Sequence, residues 1–290
     1  MRRLVLAALA ALIAAGCRNV STDGVTSESE APRLPTGARL DPAGRITDVG
    51  SFPLAMVASP DGGRLVLLLN GYRDQGVEII DRASGLVTQT LVQPAAFIGL
   101  VFSPDGKHLY ASGGNEDAIY AYDWSDARAT AADTLILAQK KPKEDGRRYP
   151  AGIGISPDGS TLYVAENLGD SLAVVDIATK RVTQRLATDR YPYGVAVSAE
   201  GIIYVSAWGG STVSVFAPSG KSLVAATRIP VARHPSALLL NAEGSRLFAV
   251  SASTDAISVV DTRAEQTIAI TVRRQGRQPP SGDIDPRGGT

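Results

Sequence analysis

Cysteine, histidine and net charge are all scarce in this 290-residue chain. With one cysteine, Cys17, no intrachain disulfide can form, and the two histidines, His108 and His234, lie too far apart in sequence to spell a zinc motif. Lys plus Arg equals Asp plus Glu at 29 each, which leaves no net field to gather nucleic acid. No nucleophile elbow, phosphate-binding glycine loop or paired-histidine motif can be written. These absences set the expectation of no cofactor, no metal and no nucleic-acid partner. The hydrophobic share, 44%, is enough for a real core, and 29 glycines favour many tight turns.

The amino terminus reads as a processing signal. Arg2 and Arg3 precede an apolar run over 4–15, the layout of a secretory signal and too short to span a bilayer. The run ends Ala14-Ala15-Gly16-Cys17, which resembles the lipobox of bacterial lipoproteins, with Ala14 where leucine is usual. That resemblance implies removal of 1–16 and acylation of Cys17, giving a membrane partner through a lipid anchor in the cell envelope. Several acyl chains at roughly 0.8 kcal/mol per buried methylene hold firmly where one does not. Arg18, by resemblance to Gram-negative lipoproteins, directs the product to the outer membrane. A plain secretory signal with an incidental cysteine is the alternative. Residues 17–36 are polar, rich in Ser, Thr, Glu and Pro, and read as a flexible tether.

Internal repetition decides the fold class over 37–272. The tetrapeptides Ser59-Pro60-Asp61-Gly62, Ser103-Pro104-Asp105-Gly106, Ser156-Pro157-Asp158-Gly159, Ser198-Ala199-Glu200-Gly201 and Asn241-Ala242-Glu243-Gly244 recur at 44, 53, 42 and 43 residues. That is the period of a four-stranded propeller blade. In the third repeat, β-prone runs at 151–156, 161–166, 171–176 and 181–186 are separated by turn residues. The expectation is an all-β chain: a β-propeller of four-stranded antiparallel blades with five full repeats. The tetrapeptide is a turn, with Pro presetting φ and Gly taking the left-handed corner, so its aspartates are turn residues first. Four residues before each turn stand Ala55, Gly99, Gly152, Gly194 and Ala237, small enough for the crowded axis. Asp81, Asp123, Asp176 and Asp261 end the third strands, where an Asx turn explains them.

The runs Leu162-Tyr163-Val164-Ala165-Glu166-Asn167, Tyr193-Gly194-Val195-Ala196-Val197-Ser198 and Ser258-Val259-Val260-Asp261 resemble YVTN-type β-propeller repeats, grouped with lactonase-like seven-bladed propellers. Seven blades are thereby implied, so the five repeats form an incomplete ring. Residues 45–49 read as an orphan outer strand, and the polar tail 273–290 as disordered or a truncated blade. A further likeness, through Asn70-Gly71-Tyr72, Gln75-Gly76, Ser112-Gly113-Gly114 and Ala207-Trp208-Gly209-Gly210, is to propeller modules that precede alkaline-phosphatase-like phosphoesterase domains.

Seven residues before the turns stand Phe52, Ala96, Tyr149, Tyr191 and His234, with Pro following in four repeats and Phe97 following Ala96. Phe52, Phe97, Tyr149, Tyr191 and His234 are candidate binding residues at one mouth of the channel, since aromatic faces supply area while Tyr and His add directed polar groups. Rings capping the inter-blade core are the alternative. The segments between second and third strands offer a candidate polar rim, Asn115, Asn167, Asp170, Trp208 and Asp255; ordinary solvated loops look the same. The second repeat's insertion carries Lys140, Lys141, Lys143, Arg147 and Arg148, a surface-loop pattern. The leading expectation is a lipid-anchored envelope scaffold that binds a protein partner or small ligand, not itself an enzyme. A hydrolase-associated propeller, lactonase-like or the amino-terminal module of a phosphoesterase, is the alternative.

Overall fold

The computed structural model describes residues 46–271 except 73, 142 and 255. The signal segment, Cys17, the tether, Asp255 and the tail from 273 lie outside the described residues. The chain divides into units 1–46 and 47–290, and the second holds every strand described.

Five four-stranded antiparallel sheets follow one another, each in simple sequence order. Blade one is β1 Pro53–Ala58, β2 Arg64–Asn70, β3 Gln75–Asp81 and β4 Val87–Val92; blade two is β5 Leu100–Phe102, β6 His108–Ser112, β7 Ala118–Ser125 and β8 Arg128–Ile136. Blade three is β9 Pro150–Ile155, β10 Thr161–Glu166, β11 Ser171–Asp176 and β12 Arg181–Ala187. Blade four is β13 Pro192–Val197, β14 Ile203–Ala207, β15 Thr212–Ser219 and β16 Ser222–Pro230; blade five is β17 Pro235–Leu240, β18 Arg246–Ser251, β19 Ala256–Asp261 and β20 Gln266–Thr271. The chain is thus a five-blade propeller.

Strand alternation builds the core between blades rather than within one. On β10, Leu162 and Val164 pack toward blade two with Ile119 and Leu135, whereas Tyr163 and Ala165 pack toward blade four with Ile203 and Phe216. Successive side chains point to opposite faces, so each central strand feeds two interfaces. A fully buried Leu, Ile or Phe contributes roughly 1.5–3 kcal/mol, and every interface holds several.

The repeated tetrapeptide folds as expected. Gly62, Gly106, Gly159, Gly201 and Gly244 have φ between 66° and 78°, and their N–H groups donate to the carbonyl of the turn's first residue. In the first three turns the serine hydroxyl donates to the aspartate, as Ser156 does to Asp158 at 2.5 Å. That hydroxyl, with the backbone N–H two residues on, holds the Asp61, Asp105 and Asp158 carboxyls below their ordinary range. A depressed folded-state pKa stabilises above the unfolded value and is lost as pH falls through the folded one. Urea stability is therefore expected to stay level from neutrality to about pH 4 and to fall below it. A circular-dichroism melt series across that window checks this, and a decline starting near neutrality would contradict it.

Two expectations need correction. Residues 46–49 form no strand; Gly50 N–H donates to the Glu78 side chain instead, at 3.0 Å, and blade five already has β20 as its outer strand. Asp123 ends no strand either. β7 runs on to Ser125 and turns through Asp126 and Ala127, with φ of 52° and 56°, a two-residue hairpin whose twist suits the strands. Asp81, Asp176 and Asp261 do make the Asx turns, accepting from Ser84, Thr179 and Ala264.

The inner strands touch in the succession β1, β5, β9, β13 and β17, and no contact of that extent joins β17 to β1 among the described residues. All five line a central cavity of ≈ 500 Å³, to which Ala55, Gly99, Gly152, Gly194 and Ala237 contribute.

Candidate functional site

Pro53, Pro150, Pro192 and Pro235 open four of the five inner strands. The residues before them, Phe52, Tyr149, Tyr191 and His234, have φ of 58°, 54°, 53° and 55°. A residue preceding proline normally lies extended, and a non-glycine left-handed residue costs on the order of 1–3 kcal/mol. Hydrogen bonds over-determine the conformation. The four carbonyls accept the N–H of Asn70, Asn167, Trp208 and Ala252 at 3.0, 3.1, 2.9 and 3.0 Å, tying inner strand to second strand. Tyr149 N–H donates to Asp117 and Tyr191 N–H to Asp170, each at 2.8 Å. Blade two lacks the proline; Ala96 shows no positive φ, and β5 starts late, at Leu100.

These bonds set side chains of consecutive blades beside one another at a single mouth. Phe97 meets Tyr149 and Tyr193 edge to face at 5.0 and 5.6 Å, and it also packs against the core between blades three and four. Trp208 stacks on His234 at 5.2 Å and 25°, with Tyr191 at 6.5 Å from the indole. His234 Nδ1 is hydrogen-bonded to Ser253 Oγ. The Arg190 guanidinium lies 5.2 Å from the Tyr191 ring centre. Phe52 is 63% exposed and has no ring partner among the described residues. Ring contacts at the mouth thus fall into two clusters, one over blades two to four and one over blades four and five.

The rim residues are mainly struts. Asn115 donates to Asp145 at 2.9 Å and accepts from Gly146 N–H, pinning the second repeat's insertion. Asn167 donates to the Pro192 carbonyl at 3.1 Å, and Asp170 orders Tyr191. Trp208 is the exception, 41% exposed and stacked on His234. Asp255 lies outside the described residues.

Two supports of the mouth were not among the candidate site residues, although the first lies in the Asn115-Glu116-Asp117 segment of the expected rim. Asp117, 1% exposed, accepts the N–H groups of Arg147, Arg148 and Tyr149 at 2.8, 2.9 and 2.8 Å. Glu166 is fully buried; both its carboxylate oxygens accept from Arg185 Nε, at 3.0 and 2.9 Å, Ser171 donates to it, and Arg148 Nη1 lies 3.7 Å away. One signal was available for the first. Asp117 and Asp170 stand alike, each immediately before a third strand.

A larger cavity, ≈ 670 Å³, lies at the opposite end of blades two and three around His108, Tyr110 and Asp133. Its carboxylates are already engaged: Asp133 by Lys180, Asp123 by His108, Asp105 and Asp158 by turn serines. The aromatic mouth is the better candidate because the 41%-exposed Trp208 stands there beside Tyr191 and His234. Among the described residues no group of three His, Cys, Asp or Glu is placed to hold a metal ion.

Comparison with known proteins bears on this mouth. The SMP-30/Gluconolactonase/LRE-like region model matches 138–253, under half of the chain. A protein described as a sugar lactone lactonase from Rhizobium meliloti is 32% identical over 144 residues, 46% of this chain and 49% of that protein. The L-arabinolactonase of Azospirillum brasilense is 35% identical over 108 residues, 34% of this chain and 35% of its own. The chain thus spans half or less of the curated relatives it matches. Among solved structures, the periplasmic gluconolactonase of Pseudomonas aeruginosa superposes with a TM-score of 0.59 at 18% identity, covering 76% of this chain and 70% of that one. That likeness is one of fold. The chain is a β-propeller, and its stretch 138–253 is similar to gluconolactonase-type proteins.

Proposed function

We propose that this chain hydrolyses the ring ester of a sugar lactone at the mouth formed by Tyr149, Tyr191, Trp208 and His234. One observation carries the reading: the stretch that matches the gluconolactonase-type model, 138–253, bears all four of these residues and Ser253. The matched relatives named as lactonases support it over the lipid-anchored scaffold. In this reaction water adds to the acyl carbon, the ring C–O bond breaks, and the leaving oxygen takes up a proton to give the hydroxy acid. The exposed Trp208 face stacks on the sugar ring. With His234 in the tautomer whose Nδ1–H donates to Ser253 Oγ, the unprotonated Nε2 takes the proton from water and returns it to the leaving oxygen.

Hydrolysis of gluconolactone and arabinolactone, followed by acid release against the spontaneous rate, tests the proposal. Turnover above background that falls at least about tenfold in His234→Ala supports it. Rates no faster than buffer alone overturn it.

Two further parts of the reading concern the chain as a whole. Cys17 is the lipid-bearing amino terminus of the mature protein, and mass spectrometry of the amino-terminal peptide from membranes is expected to find it acylated. An unmodified Cys17 refutes the anchor. The five blades are also part of a seven-bladed ring. Five sevenths is close to the 70% of the gluconolactonase that the chain covers, and Leu239 and Val250 on the far face of blade five are 67% and 42% exposed.

A further inference from the structure

The sequence triplets that enter blades three, four and five are Arg148-Tyr149-Pro150, Arg190-Tyr191-Pro192 and Arg233-His234-Pro235. Each places an arginine directly before the strained aromatic residue of the mouth. Their surroundings differ. Arg148 lies 3.7 Å from the buried Glu166 and helps neutralise it. Arg190 and Arg233 are exposed, and neither is ion-paired among the described residues. Arg190 rests over the Tyr191 ring, and its side chain's one hydrogen bond among the described residues is a 3.4 Å approach to that residue's hydroxyl. The nearby acid, Asp189, is engaged by Arg228 at 3.2 Å and by the Thr212 hydroxyl.

Along the mouth of blades four and five the order is therefore guanidinium, Tyr191, Trp208, His234, and the exposed Arg233 stands directly before His234 in sequence. We infer that this ridge binds a sugar-sized ring bearing a carboxylate or phosphate: the indole stacks on the ring while Arg190 and Arg233 read the anionic group. The inference rests on the lactone-hydrolase reading for the ring and extends it to the charge of the ligand. A free guanidinium stacked on an aromatic face is held in plane, ready to meet a planar carboxylate or a phosphate through paired N–H donors. Blade three cannot do the same, because Arg148 already faces Glu166.

The experiment is calorimetric titration of the chain with glucuronate, glucose 6-phosphate and neutral glucose, with gluconolactone hydrolysis measured on the same preparations. The two anionic sugars are expected to bind at least about tenfold more tightly than glucose, with an advantage that shrinks as salt rises. Arg190→Ala with Arg233→Ala removes the advantage; Lys107→Ala, which removes one charge from the opposite end of the blades, leaves it in place. Trp208→Ala weakens all three sugars alike. A stronger response to glucuronate than to glucose 6-phosphate identifies the carboxylate as the group read, and the reverse identifies the phosphate. Equal binding of glucose and both anions, an advantage that survives the double arginine change, or no binding by about 10 mM overturns the inference. Lactone turnover without anion preference rejects the inference and spares the hydrolase reading. Anion preference lost with the arginines, but without turnover, does the reverse.

Discussion

Asp117→Ala is expected to lower the unfolding free energy by about 3–5 kcal/mol, because it strips a buried carboxylate from three backbone N–H groups at once. A hydrogen bond to a charged group is worth about 1.5–3 kcal/mol, and each donor left dry carries its own desolvation cost. Partial entry of water into the space left by the side chain keeps the total below a simple sum. Against a domain stability of about 5–15 kcal/mol this is a large fraction. The distribution of the three bonds adds a finer expectation. Oδ1 accepts from Arg148 and Tyr149, and Oδ2 from Arg147. Asp117→Asn can keep the first pair and loses the third, so it should cost only about 1–2 kcal/mol. Urea titrations of the two variants read the difference. Equal costs would mean that the carboxylate is not the strut that fixes Tyr149 in its left-handed conformation.

Gly152→Ala is expected to cost about 3 kcal/mol or more, the upper end of what overpacking does, since the obstacle is backbone. A Cβ at Gly152 would stand 2.3 Å from the Tyr193 carbonyl oxygen and 3.0 Å from Val195 N, atoms that belong to the neighbouring inner strand. Neither strand can retreat without opening the interface behind it. The equivalent position one blade on offers the control. At Gly194 the nearest atom is the Ser206 hydroxyl oxygen at 3.2 Å, followed by Leu238 N at 3.6 Å, and that side-chain oxygen has to give by only a few tenths of an ångström. Gly194→Ala should therefore cost less than about 1 kcal/mol. Thermal melts that place the two variants at the same midpoint would show that crowding at the axis is not what demands glycine at 152.

Much of the fold was legible because its signals are local and repeated. The turn at Ser156-Pro157-Asp158-Gly159 needs no partner outside itself, and its four-residue logic recurs five times. Strand limits in the third repeat came within one or two residues of those observed, since each run is bounded by a turn of its own. The expected strand fails over 46–49, where no strand of the described residues pairs with the segment and the Gly50 N–H that follows donates to the Glu78 side chain. The expectation for Asp123 failed for another reason: two residues of extra hairpin carried it past the corner where its counterparts turn. At the site, sequence singled out Tyr149, Tyr191, Trp208 and His234 together with Asp170, which orders Tyr191, but not the part that Asp117 plays in holding Tyr149.

By itself, then, the sequence determined the number of repeats, the four strands in each, the glycine corners and the small residues at the axis, all consequences of chain stiffness and alternation within one blade. Only the tertiary structure decided which ring meets which. Trp208 leaves blade four and stacks on His234 of blade five, and Phe97 of blade two meets Tyr149 of blade three. It decided, too, that Glu166 is buried against Arg185 and Arg148 while Arg190 and Arg233 stay free of ion pairs among the described residues. Those outcomes depend on how twisted sheets abut around an axis, and contacts between blades carry no short-range signal in the chain.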